Sequence, residues 1–378
     1  MKKYLLILNA GSSSIKFAVF EVAKKINKQV LSGSISVKNN KSILVCKNKR
    51  INYQTEYNLK NWWHYIYDLL KDYDIKYVGF RMVHGGVEFS DTVIINKDFL
   101  NKIKKYNDLA PLHNPHTIEL IKLVKEDLPR VKMAASFDTA WYHKLPAFAY
   151  LYSLPIIYYT KYKIRKYGFH GLSHEAATNY AADFLDKKVN KLNLITCHLG
   201  SGGSITWYMN GNVKDTSMGF SPNEGLTMST RSGDIPPSVV FYLANNLKMS
   251  LSKIADILNN KAGLLGLAGL ADLRDILLAS GYKVSGYKNN LKFTKEQRKA
   301  AKLALDIYIY DIRRYLASYL AMSNKLDAIV FTGPVAANNT IRAMIMKGLQ
   351  KPKGTKILLA PEGEINNIAN KTIKCLNK

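Results

Sequence analysis

One pattern occurs twice, half a chain apart, and it limits the folds open to this sequence. Residues 4–8 form a short apolar run, Asn9-Ala10-Gly11-Ser12-Ser13-Ser14 is rich in turn formers, and residues 15–22 set Ile15, Phe17 and Val19 against Lys16 and Ala18. That reads as strand, small hydroxyl-rich tip, returning strand. The same succession returns as an apolar run at 192–197, the tip His198-Leu199-Gly200-Ser201-Gly202-Gly203-Ser204, and a second run at 205–209. Gly11 and Gly200 lie 189 residues apart in a chain of 378. Matched hairpins at that spacing predict an internal duplication with one hairpin per domain. At about 150 residues per domain, the length agrees with two domains.

A third strand–glycine turn follows at Asp327-Ala328-Ile329-Val330-Phe331-Thr332-Gly333-Pro334. Helical stretches separate the strands. Ser173 is placed to cap a helix over 174–185, and residues 296–323 read as a long helix with Leu303, Ile307, Ile312, Leu316 and Leu320 on or near one face. Strands alternating with helices predict an α/β fold. No low-complexity linker divides the halves. No run of 18 apolar residues is present, so no membrane span is expected, and the apolar start breaks at Asn9, too early for a signal peptide. Cys46, Cys197 and Cys375 are odd in number and far apart, which fits a reducing compartment and argues against a disulfide framework. The 55 basic and 28 acidic residues leave a net charge of +27. That charge permits nucleic acid, an anionic surface or an anionic small substrate, but the lysines are scattered and no nucleic-acid motif accompanies them, so it reads as a Lys- and Asn-rich background spread over the surface.

Several groups can handle an anionic small substrate. Glycine and serine in the two tips let backbone N–H groups converge on an anion, with Lys16 within reach of the first. Arg81 ends an apolar run and precedes Met82-Val83-His84-Gly85-Gly86, where its guanidinium can fork onto phosphate or carboxylate. Asp138 follows the apolar run 131–137, a usual position for a Mg²⁺ ligand or a base, and equally for an ordinary turn aspartate. His170 sits between glycines in Tyr167-Gly168-Phe169-His170-Gly171. Arg231 lies among small residues in Met228-Ser229-Thr230-Arg231-Ser232-Gly233-Asp234. His113 and His116 have a metal-like spacing, but Pro115 between them argues against a zinc pair. Two arginines, a histidine, a lysine, one carboxylate and two glycine-rich tips suit phosphoryl transfer, in which donors and Mg²⁺ surround a dispersed negative charge. No serine has the nucleophile-elbow context of acyl hydrolysis. Neither Walker A nor protein-kinase loops are present.

These motifs, in this order, resemble the acetate/propionate/butyrate kinase family of the actin-like ATPase superfamily. The resemblance rests on Asn9–Lys16, Arg81–Gly86, Pro111-Leu112-His113-Asn114-Pro115, Phe137-Asp138-Thr139, Tyr167–Gly171, His198-Leu199-Gly200, Asp215–Phe220 and Thr230–Asp234. It implies a duplicated actin-like, ribonuclease H-like α/β fold of two domains, with mixed sheets and a central cleft. The expected domains are 1–145, completed by a C-terminal helix over about 364–378, and 146–363. It implies reversible transfer of the ATP γ-phosphoryl group to acetate, with Mg²⁺ as cofactor and Mn²⁺ able to replace it; propionate is the alternative acceptor. It further implies a cytoplasmic homodimer that engages neither nucleic acid nor membrane. By analogy Arg81 and Arg231 hold the carboxylate and phosphoryl group, Asp138 organises the metal and the attacking carboxylate, and His170 with Arg231 stabilises the transition state. Val83, Leu112, Phe169 and Pro222 line the acyl pocket. Asn9, Ser12, Ser14 and Lys16 serve the phosphates from the first tip, and His198, Gly200, Ser201 and Gly202 from the second. Gly333 and Asn338 serve the nucleotide, and Asn9, Asp138 and Glu364 the metal.

The chain departs from the family pattern in places. Ser201 stands where the family usually has asparagine, and Ile235 where it usually has aspartate. The late glycine loop, usually Gly-Gly-Ile-Gly-Glu-Asn, reads Gly333-Pro334-Val335-Ala336-Ala337-Asn338. Pro334 removes an N–H and the added side chains narrow the space for an adenosine. The implied outcome is an altered nucleotide preference, or a degenerate member that binds without turnover. Glu362 and Glu364 both stand where the family's C-terminal metal ligand is expected.

Overall fold

The computed structural model describes residues 2–11, 14–22, 26–38, 41–46, 49–53, 57–111 and 113–377. The chain forms two compact units. The first comprises Met1–His143, Gly171–Ala176 and Gly363–Lys378, and the second Lys144–His170 and Ala177–Glu362. The short piece Gly171–Ala176, which the expected 146–363 domain includes, thus packs with the first unit.

The first unit is built on an 8-stranded sheet of order β5-β4-β3-β2-β1-β6-β8-β7. Its strands are β1 (Lys3–Ala10), β2 (Ser14–Val22), β3 (Ile26–Lys38), β4 (Lys41–Cys46), β5 (Lys49–Tyr53), β6 (Ile75–Met82), β7 (Val93–Ile94) and β8 (Lys132–Phe137). Helix α1 (Asn114–Asp127) packs on one face, and Pro115 falls in its first turn, where a missing N–H costs nothing. His116 Nδ1 lies 3.1 Å from the Tyr57 hydroxyl, so that ring has a partner other than a metal.

The second unit carries a 5-stranded sheet of order β11-β10-β9-β12-β13. Its strands are β9 (Asn193–Leu199), β10 (Gly203–Met209), β11 (Asn212–Thr216), β12 (Ala328–Thr332) and β13 (Lys356–Leu359). In both sheets an antiparallel meander, of five strands in the first (β1–β5) and three in the second (β9–β11), is followed by two parallel strands on the side of its first strand. The duplication expected from the hairpins is therefore real at the level of topology: β1-β2-β3-β6-β8 matches β9-β10-β11-β12-β13.

The tips are tighter than the sequence suggests. Asn9 and Ala10 belong to β1, with Asn9 paired to Lys16, and Gly11 N–H donates to Ser14 O at 2.7 Å. His198 and Leu199 belong to β9, with His198 paired to Ser204, and Gly200 N–H donates to Gly202 O at 2.8 Å. Ladder pairing overrides the turn preference of these polar residues.

Helix α2 (Gly171–Leu185) begins before Ser173, which is buried inside it; the residue ahead of the helix is His170, in the left-handed region at φ 58°. Helix α3 (Lys295–Ala321) has 27 residues and opens with a reciprocal Thr294–Gln297 capping box. Its buried face is Ala301, Leu305, Tyr308, Ile312, Leu316 and Tyr319, whereas Leu303 is 58% exposed, against the periodicity expected for it. Helix α4 (Asn339–Met346) is capped by Asn338, whose side chain accepts from Ile341 N–H at 3.2 Å. Helix α5 (Glu364–Leu376) covers the second face of the first sheet. Leu5, Ile7, Ala18 and Phe20 meet Ile368 and Ala369 there, while Leu6, Leu8, Phe17 and Val19 face the opposite core. Gly79 makes room for this helix: a Cβ there would stand 2.3 Å from Thr372 Oγ1 and 2.7 Å from Ile7 Cδ1.

Candidate active site

In the first unit, three candidate side chains sit where open parallel sheets usually place ligand-binding groups, at the carboxyl ends of adjacent strands. Asn9 is near the end of β1, Arg81 near the end of β6, and Asp138 directly follows β8. The β1–β6 register pairs Leu8 with Phe80, which sets Asn9 level with Arg81. The Asp138 N–H donates to Met82 O at 3.0 Å, fixing the carboxylate beside the guanidinium. Arg81 donates from Nε to Asp138 Oδ1 at 3.1 Å, from Nη2 to Asp138 Oδ2 at 2.5 Å, and from Nη1 to Asn9 Oδ1 at 3.0 Å. Glu364, at the start of α5, brings a second carboxylate, its Oε1 2.8 Å from Arg81 Nε. The Glu364 side chain is 25% exposed, while Glu362 is exposed.

Burial opposes the charge on Arg81, but Asp138 and Glu364 outweigh it and hold the guanidinium well above its ordinary range. Asp138 is 1% exposed. A buried carboxylate of this kind requires its cation, and loss of either partner leaves an uncompensated charge. Beneath the cluster, the His84 backbone N–H donates to Asn114 Oδ1, and His84 Nδ1 accepts from Gly86 N–H at 2.9 Å. Burial lowers its pKa to about 3, so the ring is neutral. The neighbouring Val83 is buried at 6% exposure. Lys16 is exposed on the same side of the hairpin as Asn9, and Ser14 closes the tip through its carbonyl. Ser12 and Leu112 lie outside the described residues.

The second unit assembles another donor set. His170 accepts a left-handed backbone, a conformation that costs of order 1–3 kcal/mol and is typical of functional positions. Its Nδ1 lies 2.9 Å from Ser204 Oγ on β10, and its ring centroid 4.4 Å from that of His198 on β9. Gly202 joins this group to Arg231: a Cβ there would be 3.4 Å from His170 Nε2 and 3.7 Å from Arg231 Nη1. Arg231 Nη1 donates to Pro222 O at 3.1 Å, so Pro222 contributes a carbonyl as well as its ring. Ser229 N–H donates to Ser201 O at 3.1 Å, tying the second tip to the Arg231 loop. Phe169 is buried at 1% exposure. Gly333 has φ 93°, and a Cβ there would sit 2.5 Å from Leu199 O, so the late loop crosses the end of β9 at backbone distance. Asn338 is engaged as the cap of α4, a role the sequence reading did not assign it. Ser204, read as part of the second tip, belongs to β10 opposite His198, and its contact with His170 is not signalled by the sequence.

The sequence matches the model of the Acetokinase family over residues 4–371. This chain belongs to that family. It is 40% identical to an acetate kinase of Thermoanaerobacterium thermosaccharolyticum over 360 residues, covering 92% of this chain and 86% of the relative. Among solved structures, a propionate kinase of Francisella tularensis is similar with a TM-score of 0.87 at 35% identity, covering 98% of this chain and 99% of that one. Porphyromonas gingivalis acetate kinase matches with a TM-score of 0.84 at 30% identity, covering 99% and 100%. As an acetokinase-family chain, this protein is a phosphotransferase with a carboxyl group as acceptor, built on the two-domain actin-like fold.

Proposed function

We propose that the reaction is reversible transfer of the ATP γ-phosphoryl group to acetate, giving acetyl phosphate and ADP. The observation that carries this reading is the cluster of Arg81, Asp138, Glu364 and Asn9 at the strand ends. Two carboxylates and an amide oxygen converging on one guanidinium form a hard-oxygen donor set, which fits Mg²⁺ held by few protein ligands and completed by phosphates and water. Among the described residues no cluster of three or more His, Cys, Asp or Glu side chains could hold a metal. Asp138, Glu364 and Asn9 would hold the ion, which would supply positive charge against the phosphates. Mn²⁺ satisfies the same donors.

Acetate is ionised at neutral pH, so its oxygen attacks the γ-phosphorus without a general base. The bond to the ADP bridging oxygen breaks, and the negative charge departs on ADP. Asp138 therefore acts by orientation and ligation, while Arg81 holds the acceptor carboxylate. Arg231 and His170 donate to the equatorial oxygens, whose charge is most exposed in a loose transition state. Ser204 fixes the His170 ring for that task. Gly202 presents no side chain to His170 and Arg231, which leaves them open to a phosphate. The family resemblance assigns the acyl methyl to Val83, Leu112, Phe169 and Pro222. Propionate is the competing acceptor, because one methylene changes selectivity by only about 1–3 kcal/mol. The same reading makes the protein a homodimer of the cytoplasm. The odd number and wide spacing of the cysteines and an ATP-dependent reaction support the compartment.

Trapping the acyl phosphate with hydroxylamine, across ATP, GTP and pyrophosphate as donors and acetate and propionate as acceptors, tests the reading. ATP with acetate is expected to give product. No product from any donor would leave the degenerate, non-catalytic member as the surviving alternative.

A further inference from the structure

We infer that one polar face of α3 sets the positions of both loops that carry the phosphoryl-stabilising groups of the second unit. Asp311, Tyr315 and Tyr319 recur every four residues, so they lie above one another on a single helix face. Asp311 and Tyr315 reach the two ends of the Arg231 loop, and Tyr319 the segment that leads to His170. Asp311 Oδ2 accepts from the Thr227 backbone N–H at 3.3 Å and from its hydroxyl. Tyr315 OH donates to Asp234 Oδ2 at 2.5 Å, and Asp234 Oδ1 in turn accepts from Gly225 N–H at 2.8 Å. Thr227 and Asp234 bracket Arg231, so both ends of its loop are tied to the same helix. Inside the loop, Met228 N–H donates to Arg231 O at 3.1 Å.

The third residue serves His170. Tyr319 OH donates to Asp215 Oδ2 at 3.1 Å, and Asp215 Oδ1 holds Lys166 Nζ at 2.7 Å. Lys166 begins the segment Lys166-Tyr167-Gly168-Phe169-His170, and Tyr167 N–H also donates to Gly219 O at 3.0 Å. The helix is a suitable frame. It is capped at its start, it buries a long apolar face, and Trp207 stacks on Tyr319 at 6.0 Å between centroids. Burial and the neighbouring Asp234 hold the Tyr315 phenol above its ordinary range, so it remains a donor. Asp311, Tyr315 and Tyr319 are positioning residues: they act through Arg231 and His170 and touch no reacting atom.

This inference rests on the proposed phosphotransferase roles of Arg231 and His170, and the test separates the two claims. Tyr315→Phe and Tyr319→Phe keep the rings and remove only the hydroxyls. With the hydroxylamine assay, each variant is expected to lower kcat about ten- to a hundredfold while KM for ATP and acetate stays within about twofold. In an Arg231→Ala background, Tyr315→Phe should cost nothing further, because the group it positions is gone. Tyr310→Phe, on a 64% exposed residue of the same helix, is the control and should match the parent. Unchanged kcat in both variants, or an equal fold-loss with and without Arg231, overturns the inference. Hydrogen exchange on the full chain gives a second reading that needs no turnover. Tyr315→Phe should speed exchange in the segment 225–234, and Tyr319→Phe in the segment 166–170. Exchange equal to the parent's in both segments overturns the positioning role even if the parent is inactive. Localised exchange in a parent that makes no acyl phosphate would sink the functional reading and leave the frame standing.

Discussion

At Arg81 two carboxylates and an amide oxygen share one guanidinium, and this crowding decides what each residue can do. In the proposed reaction, a divalent cation held by Asp138, Glu364 and Asn9 would compete for the same oxygens and would free guanidinium donors for the acceptor. Glu364→Gln should therefore raise the Mg²⁺ concentration needed for half-maximal rate by about 10- to 100-fold. Glu362→Gln should leave it unchanged. An equal metal requirement in parent and Glu364→Gln, read from rate against free Mg²⁺, would remove Glu364 from the ligand set. His84 gives a second residue-scale expectation, concerning stability. Its folded pKa is lowered to about 3, from 6.5 when free, so the unfolded chain binds the extra proton throughout that interval. Stability must then fall as pH drops from 6.5 toward 3, by up to about 1.4 kcal/mol per pH unit from this residue. His84→Asn keeps an acceptor for Gly86 N–H and cannot titrate. Denaturant midpoints of parent and variant should diverge below pH 6.5 and run parallel above it. Parallel curves throughout would show that the ring titrates in the folded chain much as it does free. Arg81, Asp138, His170 and Arg231 could be singled out from the sequence as candidates, because they end apolar runs or sit in loops of small residues and glycine, and because the family motifs contain them. Ser204 and Asp311 could not, since their roles exist only through partners distant in sequence.

Among the elements, α5 most clearly links packing to chemistry. It carries Glu364 at its first turn and lies close on the sheet because Gly79 has no side chain. Gly79→Ala should destabilise the fold by about 1–3 kcal/mol through overpacking against Thr372 and Ile7. It should also raise the Mg²⁺ requirement, because Glu364 moves with the helix. Adding Thr372→Ala removes the nearest atom and should recover part of both losses. If Gly79→Ala melts like the parent, the close approach of α5 is not the constraint the geometry indicates. The helix starts show what sequence pattern misses. Ser173 offers the usual capping side chain, yet α2 starts at Gly171, because His170 takes the left-handed conformation ahead of it. Thr294 followed by Gln297 is a plain capping signal, and α3 begins there. Leu303 is exposed and Ala304 buried in its place, so the apolar stripe followed the sheet rather than the simple count along the sequence.

At the scale of the molecule, the duplication was readable because each hairpin is local: strand, tip and return lie within about twenty residues. The parallel strands and the C-terminal helix pair across long sequence distances, and Glu364 reaches Arg81 from the far end of the chain. Periodicity says nothing about such partners. The same scale frames the proposed dimer. Among the described residues, large exposed apolar side chains are few in the first unit, namely Val45, Ile51 and Ile94. In the second unit they include Phe148 at 82%, Ile156 at 61%, Phe241 at 63% and Leu251 at 71%. An apolar load concentrated in one unit is a liability for a lone chain and a usual feature of an obligate interface. A dimer formed through the second unit would cover it, and the first unit would keep its own surface. Light scattering on the parent should accordingly give twice 42.7 kDa. Phe148→Glu with Phe241→Glu should return it to the single-chain mass, with an unchanged far-UV spectrum showing that both units still fold. A parent that elutes as a single chain would refute the dimer. A charged double variant that stays dimeric would move the interface away from these residues.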